Sequence, residues 1–188
     1  MLGVNSDPES SRGFFCGTTG HEVEKVLEEV ASKRFSASVV QRMEVSVDGN
    51  IKSNRVLNEA LACHPHPAAT SRFSISFGTD ETTRGWGAYM SSGVWIGPPA
   101  GTTGAIRSAG GDMLPLESKQ LEFVSRETIF GEFRKNVTDE PVRLRVRTDV
   151  AGVYMDGPYR QSEVKLGQVI EFRLSSEPLI IVGLDGRR

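Results

Sequence analysis

Four stretches carry residues whose types and spacing could do chemistry. The richest is Pro98–Gly111, PPAGTTGAIRSAGG, which follows the apolar run Val94-Trp95-Ile96. Within it Gly101-Thr102-Thr103-Gly104 is expected to open a short helix reaching Ala109. Glycine lets a ligand approach the backbone, and a helix start offers free N–H groups that suit phosphate. The spacing is neither a Walker A loop nor a dinucleotide fingerprint, so a ligand loop and a tight turn both stay open. The second stretch is Asn58-Glu59, a polar pair inside VLNEALA. On a strand, adjacent residues face opposite ways. One of the two is then expected to face the interior or a cleft, where a polar group needs a partner. The third is HPHP, with His64 and His66 at i, i+2. They could share a metal, but His21 and the two cysteines lie at no metal-like spacing, which favours a structural loop. The fourth is RLRVRTD, where Arg143, Arg145 and Arg147 alternate on one strand face. That face is either solvated or a surface for phosphate or a partner.

The elements that must position these residues can be read from periodicity. Met1–Asn5 reads as a short buried strand ending in the polar loop Ser6-Asp7-Pro8. Thr19 and Glu22 have capping-box spacing, and Val23, Val26, Leu27, Val30 and Ala31 then repeat at helical intervals. The expected helix runs from His21 to Lys33. Beyond Phe35 the pattern turns to short β-like runs: Ser38–Val47, Arg55–Cys63, Arg72–Phe77, Gly93–Gly97, Leu121–Glu127, Val142–Thr148, Gly152–Met155 and Val169–Leu174. Asp48-Gly49 and Asp156-Gly157 are hairpin dipeptides, since both residues tolerate the positive φ such turns need. Many short strands separated by turn signals indicate a β-sandwich or a related mainly-β domain. The apolar tail Pro178–Leu184 is expected to dock on the fold.

Bulk properties bound the rest. The chain has 188 residues, 38% hydrophobic and 24% charged, with a net charge of −2. It is long enough to bury a core without staples, and nothing in its charge points to nucleic acid. Cys16 and Cys63 are too few for a disulfide framework, which favours a reducing compartment. No apolar run approaches the ~20 residues of a membrane span. MLGVNSDPES has neither the basic start nor the apolar core of a signal peptide, and it is not Arg-rich like a transit peptide. The expected location is cytoplasmic, with no membrane partner.

Taken in order, these stretches resemble the NAD kinase family. The resemblance is carried by Leu2–Pro8, Leu57–Glu59, Ser91–Val94, Gly101–Thr103 with Ser108–Gly111, and Asp156-Gly157. NEALACHPHPAATSRFSI, MSSGVWIG and RSAGG are most similar to the NADH-preferring kinases of plants. The resemblance implies transfer of the γ-phosphate of ATP, with Mg²⁺, to the 2′-hydroxyl of the adenosine ribose of NADH or NAD. It implies an N-terminal α/β domain and a C-terminal β-sandwich domain with the site between them. The expected fold class is therefore mainly β (α+β). Residues 1–36 would be a strand-helix remnant of the α/β domain, and residues 37–188 the β-rich dinucleotide-binding domain. By the same resemblance Asn58, Glu59, Gly101, Thr102 and Thr103 contact the dinucleotide. Ser92 joins them as substrate-binding, standing where many members carry an aspartate, and Ala105 stands where many carry a tyrosine. The family's GGDGT motif lies upstream of its LGVNSDP strand, and this chain starts at that strand. The expectation is a chain weak or inactive alone, with no catalytic residue assigned. The second reading is a non-catalytic dinucleotide-binding or assembly module. The partners implied are NAD(H), ATP, and either further copies of the chain or a full-length kinase.

Overall fold

In Val142–Val146 the valines and Leu144 are buried while Arg143 and Arg145 lie half-exposed between them. The same alternation, repeated along the chain, gives each strand one face for a core and one for something else. The computed structural model describes residues 1–11, 13–77, 87–131 and 134–184. Two compact units result: Met1–Val40 with the tail from Pro178, and Gln41–Glu177.

The first unit holds strands β1 (Val4–Asn5) and β2 (Thr18–Thr19), which pair in parallel, then helix α1 (Val23–Ala31) and strand β3 (Ala37–Val40). The expected buried strand at Met1–Asn5 is shorter, and it is not buried: Met1 and Val4 are exposed. The expected capping box also resolves differently. Glu22 itself is the N-cap, and the Thr19 hydroxyl donates to the Glu22 carboxylate at 3.4 Å, so neither side chain reaches the other's backbone N–H. The helix forms where its period places it, over Val23–Ala31, but no residue of α1 is buried, and Leu27 is exposed. The apolar tail does dock. Its strand β16 (Leu179–Val182) pairs antiparallel with β3, burying Ile181 and Val40.

The second unit contains β4 (Met43–Val47), β5 (Asn50–Val56), β6 (Ala60–Cys63), β7 (Ser71–Phe77), β8 (Gly87–Ser91) and β9 (Gly93–Gly97). A 3₁₀ turn (Pro99–Thr103) and helix α2 (Ala105–Ser108) follow. Then come β10 (Leu121–Arg126), β11 (Lys135–Thr138), β12 (Val142–Val146), β13 (Val150–Met155), β14 (Gln161–Lys165) and β15 (Val169–Leu174). They form two six-stranded sheets, ordered β11-β10-β9-β6-β13-β14 and β5-β4-β15-β12-β7-β8. One continuous core takes side chains from both, with Phe73, Phe123, Phe172, Leu144 and Ile170 essentially inaccessible. Phe77 meets Phe123 edge to face, with centroids 5.5 Å apart. This is the mainly-β, sandwich-like fold expected from the turn signals.

Two runs read as single strands are broken. Ser38–Val47 splits at Gln41-Arg42, where the chain leaves the first unit for the second. Arg55–Cys63 splits at Leu57–Glu59, so the alternation argument for Asn58 and Glu59 does not apply to them: they lie on a bend. Asp48-Gly49 makes the two-residue hairpin between β4 and β5, with φ of 47° and 77°. Asp156-Gly157 also turns a hairpin, at φ of 51° and 107°, but inside a longer loop between β13 and β14.

Candidate functional site: a glycine-threonine loop and a cavity on the outer sheet face

The Asn58-Glu59 bend is built by a carboxylate far away in sequence. The backbone N–H of Leu57 donates to the Asp156 carboxylate at 3.1 Å, and that of Asn58 donates to it at 2.7 Å. The Asp156 N–H returns to the Glu59 carbonyl at 3.0 Å. The Asp-Gly hairpin therefore clamps the bend, and the bend holds the Asn58 side chain out to solvent. Glu59 is half-buried. Burial, and after it the Asp156 carboxylate nearby, pushes the Glu59 carboxyl above its ordinary range.

The Gly-Thr loop lies against this bend. A Cβ on Gly101 would collide with the Asn58 carbonyl group. Here the glycine serves the approach of two backbones of the same chain. Gly104 is open by comparison, with the Glu59 carboxylate as its nearest neighbour. The two threonines differ. Thr102 is 0% exposed. Its hydroxyl donates to the Pro99 carbonyl at 2.8 Å and accepts the Leu114 N–H at 3.0 Å, so it ties the loop to the segment that follows. Thr103 is exposed, its hydroxyl 3.4 Å from the Ala100 carbonyl. The expected single helix from Gly101 to Ala109 is instead a 3₁₀ turn and one turn of α-helix, joined at Gly104.

Beside the bend a cavity of about 720 Å³ opens on the outer face of the first sheet. Ala60, Ala62, Val94, Ile96, Ala151, Val153 and Met155 point into the core, so Leu61, Cys63, Trp95 and Tyr154 line the opposite face. Register brings them together, since Leu61 stands opposite both Trp95 and Tyr154. Arg126 crosses the cavity wall with its guanidinium carbon 5.8 Å from the Trp95 ring centroid. Glu59 and Ser92 also line the cavity. Asn58, Gly101, Thr102 and Thr103 do not. Burial pushes the Cys63 thiol up, against the pull of Arg126, and burial followed by Cys63 pushes the Tyr154 hydroxyl up. Neither group is thereby an activated nucleophile.

His64 and His66 border the same cavity, as a turn. The His66 N–H donates to His64 Nδ1 at 3.0 Å, and the Ala68 N–H donates to His66 Nδ1 at 3.2 Å. Both rings are used to hold the loop, which is the structural reading. Among the described residues no group of three or more His, Cys, Asp or Glu could hold a metal ion. Arg143 pairs with Glu171 at 2.6 Å, and Arg147 donates to the Ser74 hydroxyl at 2.9 Å, so the arginine row is engaged within its own sheet.

Sequence reasoning missed Trp95, Arg126 and Tyr154 as cavity residues and Asp156 as the clamp. The signal for Trp95 and Tyr154 was present: each is a large residue between two core residues, in VWI and VYM. For Asp156 there was none, because its role depends on an amide 98 positions away.

The comparisons agree with the resemblance read from the motifs. The sequence is 27% identical over 212 residues to a probable NADH kinase of Oryza sativa subsp. japonica, covering 97% of this chain and 63% of that protein. It is 30% identical over 211 residues to an NADH kinase of Arabidopsis thaliana, covering 98% of this chain and 65% of that protein. The chain thus spans just under two thirds of the length of the curated relatives it matches. The fold is shared with yeast NADH kinase, solved as a complex with NADH. The TM-score is 0.75 at 17% identity, over 95% of this chain and 60% of that one. No family model matches the sequence. No helix among the described residues is long and apolar enough to cross a membrane.

Proposed function

We propose that this chain is the dinucleotide-binding part of an NAD(H) kinase, which moves the γ-phosphate of ATP, with Mg²⁺, to the 2′-hydroxyl of the adenosine ribose of NADH or NAD. The observation that carries the reading is the meeting of three stretches distant in sequence. Asn58-Glu59, Gly101–Gly104 and Asp156-Gly157 close on one another through the Gly101–Asn58 backbone contact and the Asp156 clamp. The relatives' names support it, since both are called NADH kinases. The neighbouring cavity suits the same ligand class. A dinucleotide has two flat rings and a pyrophosphate, and the cavity offers the Trp95 and Tyr154 rings, apolar Leu61, and one cation in Arg126.

In this reading Asn58 offers an exposed amide to ribose or base, and Glu59 an acceptor beside it. Ser92 lies on the cavity wall. Gly101, Thr102 and Thr103 act as one loop: Gly101 seats it, Thr102 ties it down, and Thr103 presents a hydroxyl. Residues 1–36 and 37–188 remain the proposed division by descent. Phosphoryl transfer depends mainly on positioning and on neutralising charge. Mg²⁺ is commonly held by substrate phosphates with only one or two carboxylates, so in this reading it would arrive with the ATP. The 188 residues contain no Gly-Gly-Asp-Gly-Thr run, whose aspartate the resemblance implies as base. That supports a chain that binds NADH and positions its ribose but turns it over slowly by itself. The second reading is a non-catalytic dinucleotide-binding or assembly module acting in a homo-oligomer or with a full-length kinase. A cytoplasmic setting fits two cysteines that form no disulfide.

Calorimetric titration of the purified chain with NADH tests the proposal, with Asn58→Ala as control. Saturable binding that the variant loses is expected. No binding by a demonstrably folded chain overturns it. NADPH formation from NADH and ATP at a full-length kinase's rate would refute the positioning-only role.

A further inference from the structure

Glu122 is a carboxyl with 0% exposure at the second position of β10. Its neighbours on that strand, Leu121 and Phe123, belong to the core, so Glu122 points to the outer face of the sheet. It is nevertheless inaccessible, because the chain after α2 folds over it. Opposite it on β9 stands Gly97, where a Cβ would come within 2.7 Å of Ile106 Cδ1. A Cβ on Gly111 would come within 2.9 Å of Glu122 Oε1 itself. Two glycines therefore make room for the helix and for the carboxyl beneath it.

The carboxyl uses one oxygen only. Oε1 accepts the Asp112 N–H at 2.6 Å. Oε2 is buried with no hydrogen-bond partner among the described residues. A buried polar atom without a partner is costly, and an apolar side chain of the same size would avoid that cost. The bond made by Oε1 is what the carboxyl gives in return. Two positions on, the Leu114 N–H is held by Thr102 in the same way. The segment Gly110–Leu114 is thus pinned at two amides, once to the sheet and once to the Gly-Thr loop. The charged groups acting on Glu122 are Asp112, from the loop, and Lys135, from β11, which pair with each other at 2.8 Å. Burial pushes the Glu122 carboxyl up, while the Asp112 N–H pulls it down. A carboxamide of the same shape keeps an acceptor oxygen for the Asp112 N–H.

We propose that Glu122 is a positioning residue for the dinucleotide loop: through the Asp112 amide it fixes the Gly110–Asp112 turn on β10, and with that turn the seat of Gly101–Gly104 beside Asn58-Glu59. The inference rests on the dinucleotide reading of that loop. It assigns Glu122 no contact with the ligand.

Two substitutions test it. Glu122→Met fills the same space with no acceptor, and Glu122→Gln keeps one. Amide exchange is followed residue by residue by NMR, and NADH binding by calorimetry. In Glu122→Met the Asp112 amide is expected to exchange about tenfold faster, the worth of one ordinary hydrogen bond, while amides of β12 and β15 keep their protection. NADH affinity should fall by a similar factor. Glu122→Gln should match the unsubstituted chain in both readouts. Unchanged Asp112 exchange in Glu122→Met overturns the proposal. So does a loosened turn with unaltered NADH affinity, a loss of protection spread over both sheets, or a Glu122→Gln variant as impaired as Glu122→Met. If the unsubstituted chain binds no NADH, the dinucleotide reading fails and the loop-positioning role falls with it. The Asp112 exchange rates then still decide whether Glu122 holds the turn.

Discussion

At the residue scale Asp156 adds a clamp to the hairpin that its Asp-Gly dipeptide indicates. Its backbone turns a hairpin at φ 51°, and its carboxylate collects two amides from the Asn58 bend. Asp156→Ala should therefore cost about 1–3 kcal/mol in denaturant unfolding, the range for leaving hydrogen-bonding groups without a partner. Asp156→Asn should cost less, because an asparagine oxygen still accepts and asparagine tolerates the left-handed backbone. Equal losses in the two variants would show that the charge, and not the geometry, sets the bend. Thr102 carries a related lesson. A hydroxyl read as facing a ligand is buried and satisfied twice within its own chain, so its part in any site is to hold the loop.

The loop Pro98–Gly111 acts as one element because its glycines are not equivalent. Gly101 lies against the Asn58 backbone, whereas the nearest atom to a Cβ on Gly104 is 4.0 Å away. Gly101→Ala should lower stability by roughly 1–3 kcal/mol, as overpacking does, and displace the Asn58 bend. Gly104→Ala meets no close neighbour, so it should cost less than Gly101→Ala in the same unfolding titration. A tolerated Gly101→Ala would mean that the loop and the bend are not in contact in solution. The elements themselves follow from pattern where burial is one-sided. Gly93–Gly97 and Val169–Leu174 were legible end to end, because alternation with a core on one face leaves a strong period. Asn50–Val56, Gly87–Ser91, Lys135–Thr138 and Gln161–Lys165 were missed in whole or part. They are edge strands, and one open side weakens the apolar signal that periodicity relies on.

On the scale of the whole molecule the core belongs to the second unit, where every residue of the continuous apolar cluster lies. Helix α1 in the first unit buries none of its residues. Opening free energies follow buried contacts, so α1 amides should exchange with deuterium well before those of β12 and β15. Protection of α1 equal to that of the sandwich would overturn this and point to an apolar face covered in solution. Composition, turn dipeptides and periodicity alone determined a mainly-β chain with one amphipathic helix and a docking tail. The ordered motifs alone pointed to the NAD kinase resemblance. These are properties of neighbouring residues or of their order, which a sequence states directly. Only the tertiary structure decided that Asn58-Glu59 lies on a bend, that Asp156 clamps it, and that Thr102 faces inward. Only the tertiary structure brought Trp95, Tyr154 and Arg126 around one cavity and buried Glu122 beneath a loop. Each of these depends on which strands lie side by side and in what register. That is fixed by the packing of the whole core, and no local stretch of sequence contains it.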